Sequence, residues 1–390
     1  MLSADYVVVG AGLTGATIAR LLWDAGRDVA VVEKRPTVGG NVQDFVHPSG
    51  IRIHTHGPHY FRTGSDNLWA FATRFGKFYR YEAQVLSIVD GQFEHWPILK
   101  SYLDGTVGKS WVPGFSGTPR NFEEASLSVM PTIVYEKFVK GYTEKQWGTS
   151  ARSLETSLAR RFDIRPGDDT RLMQHKYQGL PSDGYSAWMA NLLDQIPVEV
   201  NTNYLDDRSM IRHKKLLIFT GPIDEFFGFS LGRLKYRGQK REHKFLPDVE
   251  FCFPCGQVNN PDPRNGNHIR TLEWKHMLSP GEIPGVRGTV LTTETPFTPS
   301  DSDCYEYPFP DEVNRRLYQR YAALAARNDD VLICGRLGEY RYYDMDQALG
   351  KAMKIAANVL GSDSKEVCAA SQRSTSRSIH SGRDRMSVRA

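Results

Sequence analysis

Tyr6-Val-Val-Val-Gly10-Ala-Gly12-Leu-Thr14-Gly15 opens the first legible unit of the chain, and Asp28-Val-Ala-Val-Val32-Glu33 closes it. A β-branched run, a glycine turn, an apolar helix over 16–23 and a second strand follow one another in about thirty residues. That is the pattern of a βαβ unit in a parallel sheet. Gly10 permits the tight turn, Gly12 lets the backbone approach a pyrophosphate, and Gly15 lets helix and strand pack closely. Thr14 sits inside the same turn. The helix N-terminus adds free N–H groups and the positive end of its dipole. At the end of the second strand, Glu33 can accept hydrogen bonds from ribose hydroxyls.

The continuation Lys34-Arg35 and then Gly39-Gly40-Asn41 favours FAD over a nicotinamide dinucleotide. A second glycine pair after the acidic residue resembles the extended fingerprint of FAD-binding amine oxidases and glutathione reductase-like proteins. No second dinucleotide fingerprint occurs downstream. Such an enzyme reacts with oxygen, takes electrons from elsewhere, or performs no net redox.

Bulk properties bound the rest. The 390 residues exceed what one core organises, so two or three domains are expected. A formal net charge of +4 is small, and much of it sits in a Ser/Arg-rich tail. Nothing therefore demands a nucleic-acid groove; a basic pocket for one anionic ligand suffices. Five scattered cysteines argue against a disulfide framework. The N-terminus lacks a signal-peptide pattern, and no apolar run reaches the roughly 18 residues of a membrane span. A cytoplasmic protein is expected.

Further along, 66–81 reads as helical and aromatic, and 81–96 as a hairpin turning at Asp90-Gly91. Residues 121–161 read as helical, 214–219 as a buried strand, and 233–310 as an antiparallel sheet. A strand at 331–334, a glycine turn Gly335-Arg-Leu-Gly338 and a helix over 345–360 follow. Strand–glycine–helix patterns at both ends suggest one discontinuous nucleotide domain with the middle inserted into it.

Two motifs read as bland rather than chemical. His54, His56 and His59 crowd one loop, but no carboxylate or cysteine cluster lies beside them to complete a metal site. Structural or flavin-contacting roles fit better, with His59 favoured because it follows a Gly-Pro turn. Cys252-Phe-Pro-Cys255 lacks the βαβ context of a redox dithiol and the second pair of a zinc ribbon.

Several motifs then occur in one order: the N-terminal fingerprint, His56-Gly-Pro-His59-Tyr-Phe61, Lys140-Gly-Tyr-Thr-Glu-Lys-Gln-Trp147-Gly, and Tyr177-Gln-Gly-Leu-Pro181. Thr220-Gly-Pro-Ile-Asp-Glu225 and Gly335-Arg-Leu-Gly-Glu-Tyr-Arg-Tyr-Tyr-Asp-Met345 follow. Together they resemble the bacterial UDP-galactopyranose mutase family, from the first strand to about residue 360. The resemblance implies an α/β fold with a discontinuous Rossmann-like FAD-binding domain, an inserted helical domain and an antiparallel β-sheet domain. The boundaries expected are 1–78, 186–224 and 315–361 for FAD; 98–160 helical; 79–97, 161–185 and 225–314 for the sheet and substrate. A disordered tail is expected over 362–390.

The resemblance also implies the chemistry. Reduced FAD attacks the anomeric carbon through its N5 as UDP leaves, the sugar ring opens from the flavin–sugar adduct, and a different hydroxyl closes it as a furanose. The expected reaction interconverts UDP-galactopyranose and UDP-galactofuranose, with an external reductant. Flavin mutases of this kind often dimerise, so a homodimer is an expected assembly.

By the same resemblance Arg336 and Arg161, the latter on a mobile lid, stabilise the departing diphosphate. His59, Tyr307 and Tyr342 join them as catalytic candidates. Gly10, Gly12, Thr14, Gly15, Glu33, Lys34, Gly40 and Asn41 are expected to hold FAD, with His59, Gly335, Arg336, Tyr342, Asp344 and Met345. Trp147, Arg161, Tyr177, Tyr307, Arg336 and Tyr342 are expected at the substrate.

Departures fall on the substrate side. Leu172 stands where a nucleotide-contacting tyrosine is usual, Thr293 lies where a basic diphosphate contact is common, and Glu306 replaces the first of two adjacent tyrosines. They leave open a mutase of the same mechanism acting on another sugar nucleotide. An FAD-dependent oxidase and a flavin-binding protein without catalysis are the remaining alternatives.

Overall fold

The computed structural model describes the backbone of residues 2–161 and 164–362, and the side chains of all of these but 160 and 161. Of the tail expected over 362–390, Ser362 ends the last helix and residues 363–390 lie outside the described residues, as does the side chain of Arg161.

A five-stranded parallel sheet forms the nucleotide end, in the order Val198–Glu199, Val29–Val32, Leu2–Val9, Ile211–Phe219, Val331–Ile333. The strands come from three distant stretches of chain, so the inserted middle predicted from the glycine patterns is real. Val8 pairs with Val31 on one side and Ile218 on the other, a central strand buried on both faces. Such strands read as continuous apolar runs because helices cover both sides. The helix Leu13–Asp24 packs Ile18 and Leu22 into the core beside Trp188 and Leu349.

A seven-stranded sheet forms the opposite wall. Its order is Tyr307–Pro308, Tyr236–Leu246, Thr289–Phe297, Arg270–Glu273, Gln257–Asn259, Val85–Val89, Gln92–Trp96. It is antiparallel as expected except between Gln257–Asn259 and Val85–Val89, which run parallel. Asp90 and Gly91 both take positive φ, 52° and 79°, at the tip of the expected hairpin. Two such residues in succession match the right-handed twist of the flanking strands.

Elsewhere the elements depart from expectation. The helix predicted over 66–81 stops at Thr73, and Phe78–Arg80 instead pairs antiparallel with Tyr177–Pro181. Phe78 packs there on Phe61, Trp69 and Trp188, burial that outweighs local helix preference. The predicted 121–161 helix is instead Phe122–Leu127, one continuous helical run from 132 to 147 that includes a π-helical segment at Tyr135–Lys140, and two 3₁₀ turns. Pro131 starts a new helix rather than continuing one. A side chain at Gly141 would lie 2.2 Å from the Pro261 carbonyl, so that helix passes very close to its neighbour. Gly335–Gly338 is a short helix, not a simple turn, and residues 345–362 are helical.

Candidate active site

One large cleft runs from the glycine loop, across the C-terminal ends of the parallel strands, to the seven-stranded sheet. At such a position, outside the carboxyl ends of parallel strands, open α/β sheets bind ligands.

Its nucleotide end is a glycine-lined cradle. Gly10 takes φ 102°, and a Cβ there would lie 2.2 Å from the Thr220 hydroxyl. The second glycine pair packs directly on the first loop: a Cβ on Gly40 would meet Gly12 Cα at 2.9 Å. Gly39 N donates to Ala11 O at 2.9 Å across the same contact. The helix Leu13–Asp24 has Gly12 as N-cap, no side-chain cap and no acidic residue in its first turn. Its leading amides therefore have no internal acceptor, and Leu13 and Thr14 line the cleft. Glu33 accepts from Ala11 N at 2.8 Å through one carboxylate oxygen and from Arg35 N at 2.9 Å through the other. Remaining lone pairs on both oxygens can serve ribose hydroxyls. A dinucleotide fits this cradle: anion at the uncapped helix, ribose at the carboxylate, backbone close at the glycines.

Lys34 and Arg35 are drawn toward the 301–305 segment. Lys34 pairs with Asp303 at 2.5 Å and donates to the Ser302 hydroxyl; Arg35 donates to Asn41 and to Asp303 O. Asn41 in turn donates to Tyr305 O at 3.3 Å. The nucleotide loop is thus clamped to the sheet wall.

The reactive end holds an arginine that no carboxylate pairs among the described residues. Arg336 donates one bond to Glu306 O at 2.8 Å, while its Nε is buried without a partner. Its guanidinium lies over Tyr342, and Tyr342 stacks on Tyr307. His59 Nδ1 lies 2.8 Å from Gly57 O, a donor geometry that fixes the tautomer and leaves Nε2 as acceptor. Burial first, then His54, Arg336 and His56, hold the His59 pKa well below the ordinary imidazole value, against the pull of the Gly57 carbonyl. The ring is neutral at pH 7. Behind it, His54 accepts from His59 N at 3.0 Å, and burial with nearby Arg52 lowers its pKa to about 3. Among the described residues no group of three His, Cys, Asp or Glu is arranged to hold a metal ion. Cys252 and Cys255 are free, the second buried with its Sγ donating to Gln257 O.

Beneath the histidine loop lies a charged row that sequence reading missed. Arg241, Glu294 and Arg270 stand directly opposite one another on three adjacent strands. Glu294 takes Arg241 Nε at 2.8 Å on one oxygen and Arg270 Nε at 2.5 Å on the other. Arg241 then grips Glu306 with both terminal nitrogens, at 2.7 and 2.8 Å. Burial raises the Glu306 pKa, but the Arg241 hydrogen bonds and His56 outweigh it and bring the pKa to about 2. Arg270 and Glu306 line the cleft; Arg241 and Glu294 do not. Glu294 on a Thr-rich strand was one available signal, but Arg241 sits among other charges on its own strand and only strand register unites the row.

Of the expected residues, the cleft is lined by Gly10, Gly12, Thr14, Glu33, Lys34, Gly40 and Asn41 at one end. At the other it is lined by His59, Tyr307, Gly335, Arg336, Tyr342, Asp344 and Met345. Asp344 pairs with Arg62 at 3.0 Å. Gly15 is instead a packing position, where a Cβ would lie 2.0 Å from Gly10 O. Trp147 and Tyr177 are placed otherwise than expected. Trp147 is buried one layer back, edge-on to Tyr307 and Phe309, because the short helix that carries it ends against that core. Tyr177 stacks flat on Trp69 and donates to Asp66 on the outer side of its strand.

The parallel sheet, uncapped helix, ribose carboxylate and paired glycine turns define a Rossmann-like flavoprotein that binds FAD. Residues 137–342 match the family described as UDP-galactopyranose mutase, and 8–75 an NAD(P)-binding Rossmann-like domain. The chain belongs to the UDP-galactopyranose mutase family. It is 30% identical over 379 residues to a probable UDP-galactopyranose mutase of Klebsiella pneumoniae, covering 93% of this chain and 96% of that one. It is 28% identical over 371 residues to a dTDP-fucopyranose mutase of Escherichia coli, covering 90% and 97%. Among solved structures, a reduced UDP-galactopyranose mutase shares the fold with a TM-score of 0.67 at 15% identity, over 93% of this chain and 94% of that one. No helix among the described residues is long and apolar enough to cross a membrane.

Proposed function

We propose that this enzyme interconverts the pyranose and furanose forms of a sugar nucleotide, with UDP-galactose as the default substrate. The observation that carries the reading is Arg336: a guanidinium in the cleft, without an ion-pair partner among the described residues, seated on Tyr342 beside Tyr307. An arginine so held matches a departing diphosphate, since its planar fork meets two oxygens at once and stays charged. Bound and reduced, the flavin supplies a nucleophilic ring nitrogen for the anomeric carbon.

The chain's own residues supply the rest. Arg336 takes up the charge that develops on the leaving diphosphate and keeps it in place for recapture. Arg270 adds a second cation on the sheet side, and Arg161 is assigned a third from the lid. His59, neutral with Nε2 free, accepts a hydrogen bond from flavin or sugar. Tyr307 and Tyr342 wall the reacting end with flat faces. We assign FAD to the cradle of Gly10, Gly12, Thr14, Glu33, Gly40 and Asn41, with Gly335, Asp344 and Met345 closing it.

The three-part division into FAD, helical and sheet domains belongs to the same proposal, supported by the two sheets and the cluster of short helices. So do a cytoplasmic location, an external reductant and a homodimer. A second reading, another sugar nucleotide on the same mechanism, is favoured by Glu306 in the cleft wall and by the dTDP-fucopyranose mutase relative.

The test is chromatography of UDP-galactose incubated with the holoenzyme, with and without dithionite in the absence of air. Furanose is expected only after reduction; equal conversion by the oxidised enzyme overturns the mechanism.

A further inference from the structure

The charged row beneath the histidine loop is balanced, two arginines against two carboxylates, and only its ends reach the cleft. Its anionic end is Glu306, buried in the cleft wall with both oxygens fixed by Arg241. A carboxylate offers about four lone-pair sites, and Arg241 uses two. His56, also lining the cleft, holds its Nδ1 3.8 Å from Glu306 Oε1. That is too long for a hydrogen bond. It is the separation at which one hydroxyl oxygen, about 2.8 Å from each atom, closes a triangle.

We propose that His56 and Glu306 together read one hydroxyl, or an equivalent N–H group, on the sugar ring and so set which hexose the enzyme accepts. The inference rests on the sugar-nucleotide reading above and deepens it. Glu306 is the fixed acceptor, ionised at neutral pH, so it rewards only a donor. His56 is the adjustable partner, able to give or take through Nδ1. Arg241 is a positioning residue: it keeps the carboxylate from turning and, through Glu294, ties its place to that of Arg270. A site that hydrogen-bonds a substrate group rejects the analogue lacking it, because its own polar atoms are then left unpaired.

The experiment compares UDP-galactose with its 2-, 3-, 4- and 6-deoxy forms on the FAD-loaded enzyme. Affinity is read by calorimetry, turnover separately after reduction. In the wild type, loss of one particular hydroxyl is expected to weaken binding on the order of tenfold to a hundredfold. In Glu306→Gln and in His56→Gln, that penalty is expected to shrink to about threefold or less at the same position and nowhere else. The UDP affinity of both variants should stay within about threefold of the wild type. Penalties at every position that are unaltered by both substitutions overturn the proposal. His56→Gln lies on a loop outside the buried row, so it decides the matter even where Glu306→Gln fails to retain flavin. Absence of turnover with an intact binding pattern counts against the mutase reading alone.

Discussion

The guanidinium carbon of Arg336 lies 4.7 Å from the ring centroid of Tyr342. That ring stacks on Tyr307, with centroids 5.9 Å apart and planes 9° from parallel. A stacked guanidinium keeps its edge, and hence its hydrogens, turned toward an anion. Arg336→Lys retains the charge but loses the fork and the flat face. We expect it to lower kcat/KM by about 10²–10³-fold. Arg336→Ala should lower it further and weaken UDP binding as well. Steady-state turnover of the reduced enzyme and UDP titration measure both; unchanged values in the alanine variant remove the diphosphate assignment.

Glu33 accepts one amide on each carboxylate oxygen, Ala11 N and Arg35 N. In Glu33→Gln one oxygen becomes an NH₂ group facing an N–H donor, so the loop must shift. Flavin affinity should fall by about tenfold to a hundredfold. The checks are the flavin-to-protein absorbance ratio after gel filtration and a reconstitution titration. A variant that retains flavin fully shows that the carboxylate is dispensable there.

Acid sensitivity follows from His54. Burial and Arg52 lower its pKa from 6.5 to about 3 in the folded protein. The unfolded chain therefore takes up a proton at this group below pH 6.5 while the folded chain does not. Its contribution to stability is whole above 6.5 and drains away as pH falls toward 3. Between pH 6.5 and 5 the loss is about 2 kcal/mol. Urea unfolding of wild type and His54→Gln at pH 7 and 5 tests this, the variant losing less on acidification. Equal losses in both would show that other groups carry the effect.

Gly57 has φ 85°, and a Cβ there would lie 2.7 Å from Glu294 Oε1 and 3.2 Å from terminal nitrogens of Arg241 and Arg270. Its carbonyl also orients His59. Gly57→Ala should cost about 1–3 kcal/mol of stability and cut turnover by roughly tenfold or more, with flavin still bound. Thermal melting, flavin content and turnover separate these outcomes. Full activity in a stable variant means that the loop does not rely on the charged row.

What could be read from the sequence was whatever the backbone itself demands. Gly10 and Gly40 are glycines because side chains there would collide with Thr220 or with the facing loop. Asp90-Gly91 marks a hairpin because few residues accept two positive φ values in succession. The Arg241–Glu294–Arg270 row was hidden because its members lie 24 to 53 residues apart and meet only through strand pairing. Trp147 and Tyr177 were misplaced because an aromatic in a motif does not announce which face of its element it occupies. The helix over 121–161 is interrupted at Pro131 and at Gly148, whose φ is positive, and both residue types were visible in the sequence.

The strands of the nucleotide sheet are contributed by residues 2–32, 198–219 and 331–333, and the walls of the cradle by stretches within 9–14, 32–42, 202–205, 219–222 and 335–345. A ribosome delivers these parts in that order, the last of them some three hundred residues after the first. Until Val331–Ile333 adds itself to the edge beside Ile211–Phe219, the pyrophosphate cradle has no far side. The far side of the cradle therefore depends on a stretch that lies almost at the end of the described chain.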